Sequence, residues 1–310
     1  MVIPTRNRLS LLREAIESVE RQSFADWELV VVDDASDDGT ATWLGGIEDP
    51  RIRSFRLPVR SERTVARNRG LAEARGQLTV FLDDDDRLAP GALAALNGAL
   101  RRRPQAVAAV GAAVRFDPQG RRERASHPRR ESMRTVWREV LAGWDSGPGQ
   151  TAVRTDALRT AGGWNEQLAY WELGDLWFRI ARLGPVVFLP QTVLEIRLHP
   201  DQTPPSPLAT DPRLEFVPAL PEPDRREAER ILRARELVLA GDDARFRGEY
   251  RGALGHYVRG MATAPLLLRS PLTRTDLVGN VGHVAPRALL GRRGRAGLRR
   301  LRKLTRGRSA

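Results

Sequence analysis

The sequence predicts an α/β fold with a mostly parallel sheet flanked by helices, because two apolar strands each end abruptly in acids. Residues 78–82 fit one buried strand and are followed by four aspartates, residues 83–86. Upstream, residues 28–32 run into Asp33 and Asp34, and a turn rich in Ser, Asp and Gly follows. In open parallel sheets the carboxyl ends of the strands share one edge, where ligands bind. We therefore expect a Rossmann-like sheet with an electronegative crevice at that edge.

The acidic residues at the strand ends are candidate cation ligands. Adjacent carboxylates repel one another, so a folded chain rarely keeps four together unless a positive group lies close. Carboxylate oxygens suit Mg²⁺ or Mn²⁺. An isolated cluster could equally be a solvated acidic turn, but the second acid-ended strand favours a binding crevice.

Length and composition predict one α/β domain with an appendage. The chain has 310 residues. We assign residues 1–205 to the α/β domain, and residues 206–223 to a linker because eight prolines fall between positions 200 and 223. Residues 224–285 form a helical appendage, in which Asp224 caps a helix through Leu239 that stops at Gly241. A second helical pattern covers residues 244–263, and residues 286–310 form a basic tail.

The tail holds most of the net charge. It carries nine Arg, one Lys and no acid, against a formal net charge of +12 for the whole chain. Leucines interleave with these charges, so an amphipathic helix on an anionic membrane surface and a disordered basic tail both fit. The chain contains no cysteine, which excludes disulfides and thiolate metal sites. No apolar run approaches a membrane span. The sequence also shows no export signal, so we expect a cytoplasmic protein, peripheral at the inner face of the cell membrane if the tail binds lipid.

Several segments in order resemble a family 2 glycosyltransferase across roughly residues 1–205. The donor-side segments are Val2-Ile-Pro-Thr-Arg-Asn-Arg8, Trp27-Glu-Leu-Val-Val-Val-Asp-Asp34, Ala66-Arg-Asn-Arg-Gly70 and Phe81-Leu-Asp-Asp-Asp-Asp86. The acceptor-side segments are Gly162-Gly-Trp-Asn-Glu166 and Gly174-Asp-Leu-Trp-Phe-Arg179. The resemblance implies the GT-A fold and a nucleotide-sugar donor, with UDP favoured by family frequency. It also implies a glycan or lipid-linked acceptor, in the synthesis of cell-surface polysaccharide.

Carried over by position, the resemblance also implies site residues. Those on the nucleotide side are Pro4, Thr5 and Asp34 at the nucleoside, Asp33 in support, Asp83 near the ribose, and Arg67 and Asn68 near the nucleotide. Asp84 and Asp86 are either helpers of the donor-facing acids or solvated neighbours. The divalent metal, Mn²⁺ or Mg²⁺, falls to Asp85 within the Asp-x-Asp pattern, with Asp83 and His199 beside it. For Arg67 a solvated helix charge is an equal alternative. For His199 an ordinary loop residue is the alternative.

The implied reaction is a single inverting displacement in which a carboxylate takes the proton of the acceptor hydroxyl. We assign this base to Asp175, with Glu172 as the second choice. Leu173 stands where many relatives carry an acid, and the alternative for Asp175 is a helix cap. Among the nearby tryptophans, we expect Trp177 in the core and Trp171 at the acceptor.

Two other classes of function fit parts of the sequence. A nucleic-acid-binding module would use the basic tail and the arginines at 101–103 and 121–130, but it leaves the two acid-ended strands unexplained. We therefore expect no specific nucleic acid partner. A non-catalytic relative that binds a nucleotide or a glycan would account for Leu173.

Overall fold

The computed structural model describes residues 1–124, 130–142, 144, 146–168, 171–198, 217–265, 280–285 and 288. The chain divides into two compact units. Unit 1 comprises Met1–Trp137 and Asp145–Pro212, and unit 2 comprises Arg138–Trp144 and Arg213–Ala310.

Strands and helices alternate through most of unit 1, as expected for an α/β fold. The strands are β1 (Val2–Thr5), β2 (Leu29–Asp33), β3 (Ile52–Arg56), β4 (Leu78–Thr79), β5 (Arg87–Leu88), β6 (Ala108–Phe116), β7 (Arg122–Arg124), β8 (Ser132–Arg134), β9 (Thr151–Arg154) and β10 (Val186–Arg197). The helices are α1 (Leu9–Glu20), α2 (Thr40–Gly45), α3 (Arg63–Glu73), α4 (Ala92–Arg102), α5 (Trp137–Leu141), α6 (Thr155–Thr160) and α7 (Glu172–Leu183) in chain order, then α8 (Asp224–Phe246) and α9 (Tyr250–Thr263) in unit 2.

Two sheets form the centre of unit 1. The first is parallel in the order β1-β2-β3, and the second is mixed, with β4-β9-β6-β10-β5 as its main path. Within the second sheet, the long strands β6 and β10 run parallel, while β9 and β5 pair antiparallel to their neighbours. The predicted α/β class is confirmed, with parallel pairing concentrated in the first sheet and between β6 and β10.

The segment predicted as one strand over residues 78–82 is shared between the two sheets. Leu78 and Thr79 pair antiparallel with β9, whereas Phe81 bridges Val2 of β1 in parallel. The Val2 amide donates to the carbonyl of Val80 at 2.9 Å, and the Leu82 amide donates to the carbonyl of Val2 at 2.9 Å. The chain therefore stays extended to Leu82 but changes partner halfway, which shortens the regular strand.

Apolar side chains from both sheets and their helices form the core of unit 1. Fully buried members include Ile3, Leu12, Leu29, Val31, Leu82, Leu96, Leu100 and Val187. Helix α3 packs closely on β1, because a Cβ at Gly70 would lie 2.2 Å from a methyl carbon of Val2. This close approach brings α3 next to the strand ends of the first sheet.

Helices α8 and α9 of unit 2 pack together, and the prediction that Gly241 ends the first of them is wrong. Helix α8 continues from Asp224 to Phe246. A Cβ at Gly241 would lie 2.6 Å from Cε1 of Tyr257 on α9, so glycine is there to admit the tyrosine ring. Tyr257 is fully buried and donates its hydroxyl to Asp242 Oδ1 at 2.6 Å. Burial, followed by this hydrogen bond, raises the pKa of Tyr257 to about 12.

Candidate functional site: an acid-rich sheet edge

The two acid clusters lie together at the carboxyl edge of the first sheet. Thr5, the last residue of β1, is in register with Asp33, the last residue of β2. The Thr5 hydroxyl donates to Asp84 Oδ2 at 2.7 Å, across 79 positions of sequence. Pro4 precedes Thr5 in β1 and is buried. The strand pattern therefore placed both clusters at one edge, as expected.

Asp33 holds the turn after β2. Its carboxylate is 1% exposed, accepts the Ser36 amide at 2.9 Å and pairs with Arg56 Nη1 at 2.9 Å. With both oxygens engaged inside the protein, Asp33 orders the loop that follows the strand, consistent with a supporting role.

Asp34 faces the loop that leads into α3. Its Oδ1 accepts the Ser61 amide at 2.7 Å and its Oδ2 accepts the Glu62 amide at 3.2 Å. Glu62 has a φ of 74°, a left-handed conformation that is uncommon for a residue with a side chain. Arg6 donates to the backbone carbonyl of Asp34 at 2.8 Å. The carboxylate thus accepts N–H donors, as it would from a nucleobase.

Asp83 and Asp85, the two proposed donor-facing acids, each pair with an arginine. Arg67 Nη2 lies 2.6 Å from Asp83 Oδ1, and Arg8 Nη1 lies 2.7 Å from Asp85 Oδ2. The Asp83 side chain is 36% exposed, so it faces solvent in the crevice. The positive groups that the acidic cluster requires are therefore supplied in part by guanidinium groups.

Asp84 and Asp86 alternate with these residues, and Asp84 is buried while Asp86 is half-buried. Asp84 also takes a hydrogen bond from Arg8 at 3.2 Å, and burial raises the pKa of its carboxyl to about 6. Asp86 accepts the Arg197 amide at 3.0 Å, and burial together with the nearby charge of Asp83 raises its pKa to about 8. These two acids tie the cluster to β1 and β10.

The chemistry of Asp83 and Asp85 fits a hard divalent cation. Carboxylate oxygens are the ligands that Mg²⁺ and Mn²⁺ prefer. In the described part of the chain no three carboxylate or imidazole groups are arranged to hold a metal, and His199 lies outside the described residues. To ligate a metal, Asp83 and Asp85 would exchange the guanidinium partners they now hold.

Arg67 links the acidic edge to the start of α7. It is 4% exposed, so the alternative of a solvated helix charge is wrong. Besides Asp83, its guanidinium lies 3.9 Å from Glu172 Oε1 and 4.4 Å from the ring centroid of Trp164. Glu172 also pairs with Arg63 Nε at 2.7 Å. Arg67 thereby joins a donor-side acid to one of the two candidate bases.

Asn68, the next residue on α3, clamps the turn that precedes α7. Its Oδ1 accepts the Trp164 amide at 2.8 Å, while its Nδ2 donates to the Trp164 carbonyl and to Glu166 Oε1, each at 2.8 Å. Trp164 is 3% exposed and packs edge-to-face on Phe81, with ring centroids 5.2 Å apart. All three of these hydrogen bonds hold the turn at Trp164–Glu166, which the family resemblance assigns to the acceptor side.

Asp175 is buried in the first turn of α7. It is 0% exposed, and its Oδ2 pairs with Arg179, whose Nε lies 3.1 Å away. Arg179 also donates to the carbonyls of Ala161 and Gly163. Asp175 Oδ1 accepts no hydrogen bond from the described residues. The helix begins at Glu172 without a side-chain cap, so the cap alternative for Asp175 is wrong.

Of the two assigned tryptophans, Trp177 is in the core as predicted. Its side chain is 3% exposed and donates to the carbonyl of Ser146 at 2.9 Å. Trp171 is half-buried and precedes α7 with a left-handed φ of 65°. Acceptor contact by Trp171 stays a prediction.

Sequence reasoning missed the arginines that organise this edge. Arg8, Arg63 and Arg179 pair with Asp85, Glu172 and Asp175. Arg8 and Arg179 lie in segments that resemble the family, and an acid-rich site inside a folded protein requires compensating positive charge, but neither signal tells which acid each arginine pairs with.

No helix in the described part of the chain is long and apolar enough to cross a membrane.

The model of the family described as "Glycosyl transferase family 2" matches residues 1–160. A Campylobacter jejuni protein named GalNAc(5)-diNAcBac-PP-undecaprenol beta-1,3-glucosyltransferase is 39% identical over 99 residues, which cover 31% of this chain and 32% of that protein. The colanic acid biosynthesis glycosyl transferase WcaA of Escherichia coli, named as putative, is 34% identical over 93 residues, or 29% of this chain and 33% of that one.

The matches thus span about a third of these curated relatives. Among solved structures, S. aureus TarS 1-349 in complex with UDP-GlcNAc superposes with a TM-score of 0.63 at 16% identity, covering 91% of this chain and 89% of that one. This likeness confirms the glycosyltransferase-type α/β fold. Because the family model covers more than half of the sequence, the chain belongs to glycosyl transferase family 2.

Proposed function

We propose that this protein moves a hexose from a nucleotide sugar, with UDP as the favoured nucleotide, to a hydroxyl of a glycan or lipid-linked acceptor with inversion. The names of the relatives support a role in cell-surface polysaccharide synthesis. The UDP-GlcNAc complex of TarS supports the choice of nucleotide. A cytoplasmic location and peripheral membrane binding belong to the same proposal, since nucleotide sugars usually reside in the cytoplasm.

The observation that carries this proposal is the position of Arg67 between Asp83 and Glu172. A displacement at a sugar carbon needs a leaving-group side and a base side within one crevice. Arg67 contacts an acid of each side, at 2.6 Å and 3.9 Å. The donor-facing acids and a candidate base are therefore connected through a single buried cation.

The geometry favours Glu172 over Asp175 as the general base. Both candidates are ion-paired, Asp175 with Arg179 and Glu172 with Arg63, so either would have to leave its pair to reach an acceptor. Asp175 is in addition 0% exposed. Glu172 lies at the start of α7, 7% exposed, beside the cation that binds Asp83. A base must come within hydrogen-bond reach of the proton that it removes.

The proposed chemical step is a single inverting displacement. The carboxylate of Glu172 accepts the acceptor's proton as the acceptor oxygen forms a bond to the anomeric carbon. The bond from that carbon to the diphosphate oxygen breaks on the opposite face, which inverts the centre. Arg8 and Arg67 stand beside the acids and are able to pair with phosphate oxygens.

Asp85 and Asp83 would hold the divalent metal, and His199 remains a proposed third ligand. When bound, the metal supplies positive charge that stabilises the departing diphosphate. Asp34 would then hydrogen-bond the nucleobase in place of the two loop amides that it now accepts.

The test measures UDP release from a panel of UDP-hexoses, with and without Mn²⁺, in the wild type and three variants. We expect Glu172→Gln to lower kcat by about 10²–10⁴-fold while donor binding persists. Asp175→Asn should instead lower the melting temperature. Glu48→Gln, an exposed change, serves as the control. Full turnover by Glu172→Gln together with a stable, inactive Asp175→Asn would assign the base to Asp175. No turnover of any UDP-hexose in the panel by the wild type would contradict the proposal.

A non-catalytic relative that binds a nucleotide or glycan is the second candidate. The burial of Asp175 and the apolar Leu173 favour it. It predicts donor binding with no turnover in the same assay.

The nucleic-acid alternative loses support at residues 101–103, because Arg102 pairs with Glu131 at 2.9 Å. Of the tail at 286–310, only Ala288 lies within the described residues.

A further inference from the structure

Four arginines of unit 2 line one groove, which we call the arginine groove. Arg226, Arg230 and Arg233 come from α8, and Arg259 comes from α9. The groove has a volume of about 670 Å³, and Glu229 is its one acidic lining residue. All five of these side chains are exposed.

Helical spacing aligns the three arginines of α8. Positions i, i+4 and i+7 share one face of a helix, and the rise per residue separates these residues by about 6 and 4.5 Å along the axis. The opposite face of α8 is buried through Ala228 and Ile231. Packing of the buried face therefore keeps the three arginines of α8 on its solvent-exposed face.

The charge in the arginine groove is only partly compensated. Arg226 pairs with Glu222 at 3.1 Å, and Arg259 contacts the ring of His256 at 3.3 Å. Within the part of the chain that the structure describes, Arg230 and Arg233 form no salt bridge. Two guanidinium groups thus point into the groove with their donors available.

The lining decides which polyanion fits. Leu237 is the only large apolar side chain in the lining, so the groove lacks the apolar face that holds an amphipathic surface in a bilayer. No aromatic side chain lines it, so it lacks the stacking platform on which single-stranded nucleic acids bind. What remains is a row of planar donors that suits carboxylate or phosphate groups repeated along a chain.

We propose that the arginine groove binds an anionic polysaccharide, whose acid groups pair in succession with Arg226, Arg230 and Arg233 while Arg259 closes the other wall. The choice of a glycan over other polyanions rests on the proposed function. The binding itself requires neither donor nor turnover, so a failure of sugar transfer and a failure of this site are measured separately.

The test is fluorescence anisotropy of a labelled oligogalacturonate of about ten sugars with the full chain, at several salt concentrations. We expect Arg230→Glu/Arg233→Glu to weaken binding at least about tenfold and to flatten its salt dependence. The milder Arg230→Gln/Arg233→Gln should also weaken binding, but by less. Circular dichroism of each variant, compared with the wild type, checks that the protein is folded. Arg75→Glu/Arg101→Glu makes the same change in net charge at exposed positions of unit 1 and should leave binding within about twofold.

Three results would overturn the proposal. Equal losses in the groove and control variants would mean that only net charge matters. Equal binding of a neutral malto-oligosaccharide would exclude charge recognition. Competition by single-stranded DNA or by phosphatidylglycerol vesicles at equal charge concentration, with the same loss in the groove variants, would replace the glycan by that partner.

Discussion

Replacing Arg67 by methionine tests whether a buried cation holds the two sides of the site together. The change keeps much of the side-chain volume but leaves Asp83 and Glu172 without their shared partner. Removing one member of a buried ion pair costs about 3–5 kcal/mol. The expected cost here is smaller, about 2–3 kcal/mol, because Asp83 is 36% exposed and Glu172 keeps Arg63. Loss of the cation–π contact with Trp164, about 1 kcal/mol, is included in that figure.

In a domain of this size each kcal/mol shifts the melting temperature by roughly 2–4 °C, so Arg67→Met should lower it by about 5–10 °C. Thermal unfolding followed by tryptophan fluorescence measures this change. Arg69→Met on the same helix is the matched control. Arg69 is 47% exposed, forms an i,i+4 pair with Glu73 and lies 5.0 Å from the ring centroid of Phe55, so its loss should cost at most about 1 kcal/mol. Arg67→Lys should restore part of the stability but little turnover, since a single ammonium cannot span both acids. Equal melting temperatures for Arg67→Met and Arg69→Met would refute the reasoning.

Three further changes probe other contacts. Asn68→Ala removes three hydrogen bonds at the Trp164 turn and should lower the free energy of unfolding, measured with urea, by about 2–3 kcal/mol. A loss below about 0.5 kcal/mol would show that the turn keeps its conformation without Asn68. Gly241→Ala should destabilise by about 1–3 kcal/mol despite the better helix propensity of alanine, because the new methyl meets Tyr257, and a rise in melting temperature would contradict this. The pKa of Tyr257 is raised to about 12, so its neutral form contributes stability that is complete below about pH 10 and is lost as pH rises through about 12. The difference in unfolding free energy between wild type and Tyr257→Phe should therefore shrink between about pH 10 and 12, and a constant difference would argue against the Asp242 bond.

The elements that follow from local pattern were predictable, and the long-range pairings were not. The apolar runs before Asp33 and Asp83 predicted the sheet edge, because a buried strand and its polar end are encoded in neighbouring residues. The partner of Asp85 is Arg8, 77 positions away, and no local pattern encodes that choice.

The misread glycine has a similar cause. Gly241 carries a helix-stop signal locally, but its small size serves a contact with Tyr257 on another helix. Residues 78–82 read as one strand because periodicity reports burial and not the identity of the partner strand. Asn68 was identified by its position in a family segment, but only the structure shows that its side chain binds the backbone of Trp164.

Adjacent residues of α3 serve opposite ends of the proposed reaction: Arg67 meets the donor-side Asp83, and Asn68 carries the acceptor-side turn at Trp164. Because a helix is stiff over one turn, a displacement of α3 that one ligand causes would also move the residue that serves the other ligand. By thermodynamic reciprocity, donor and acceptor should then change each other's affinity by the same factor. The two substrates would then bind as coupled events, and the coupling would pass through two neighbouring residues of one helix.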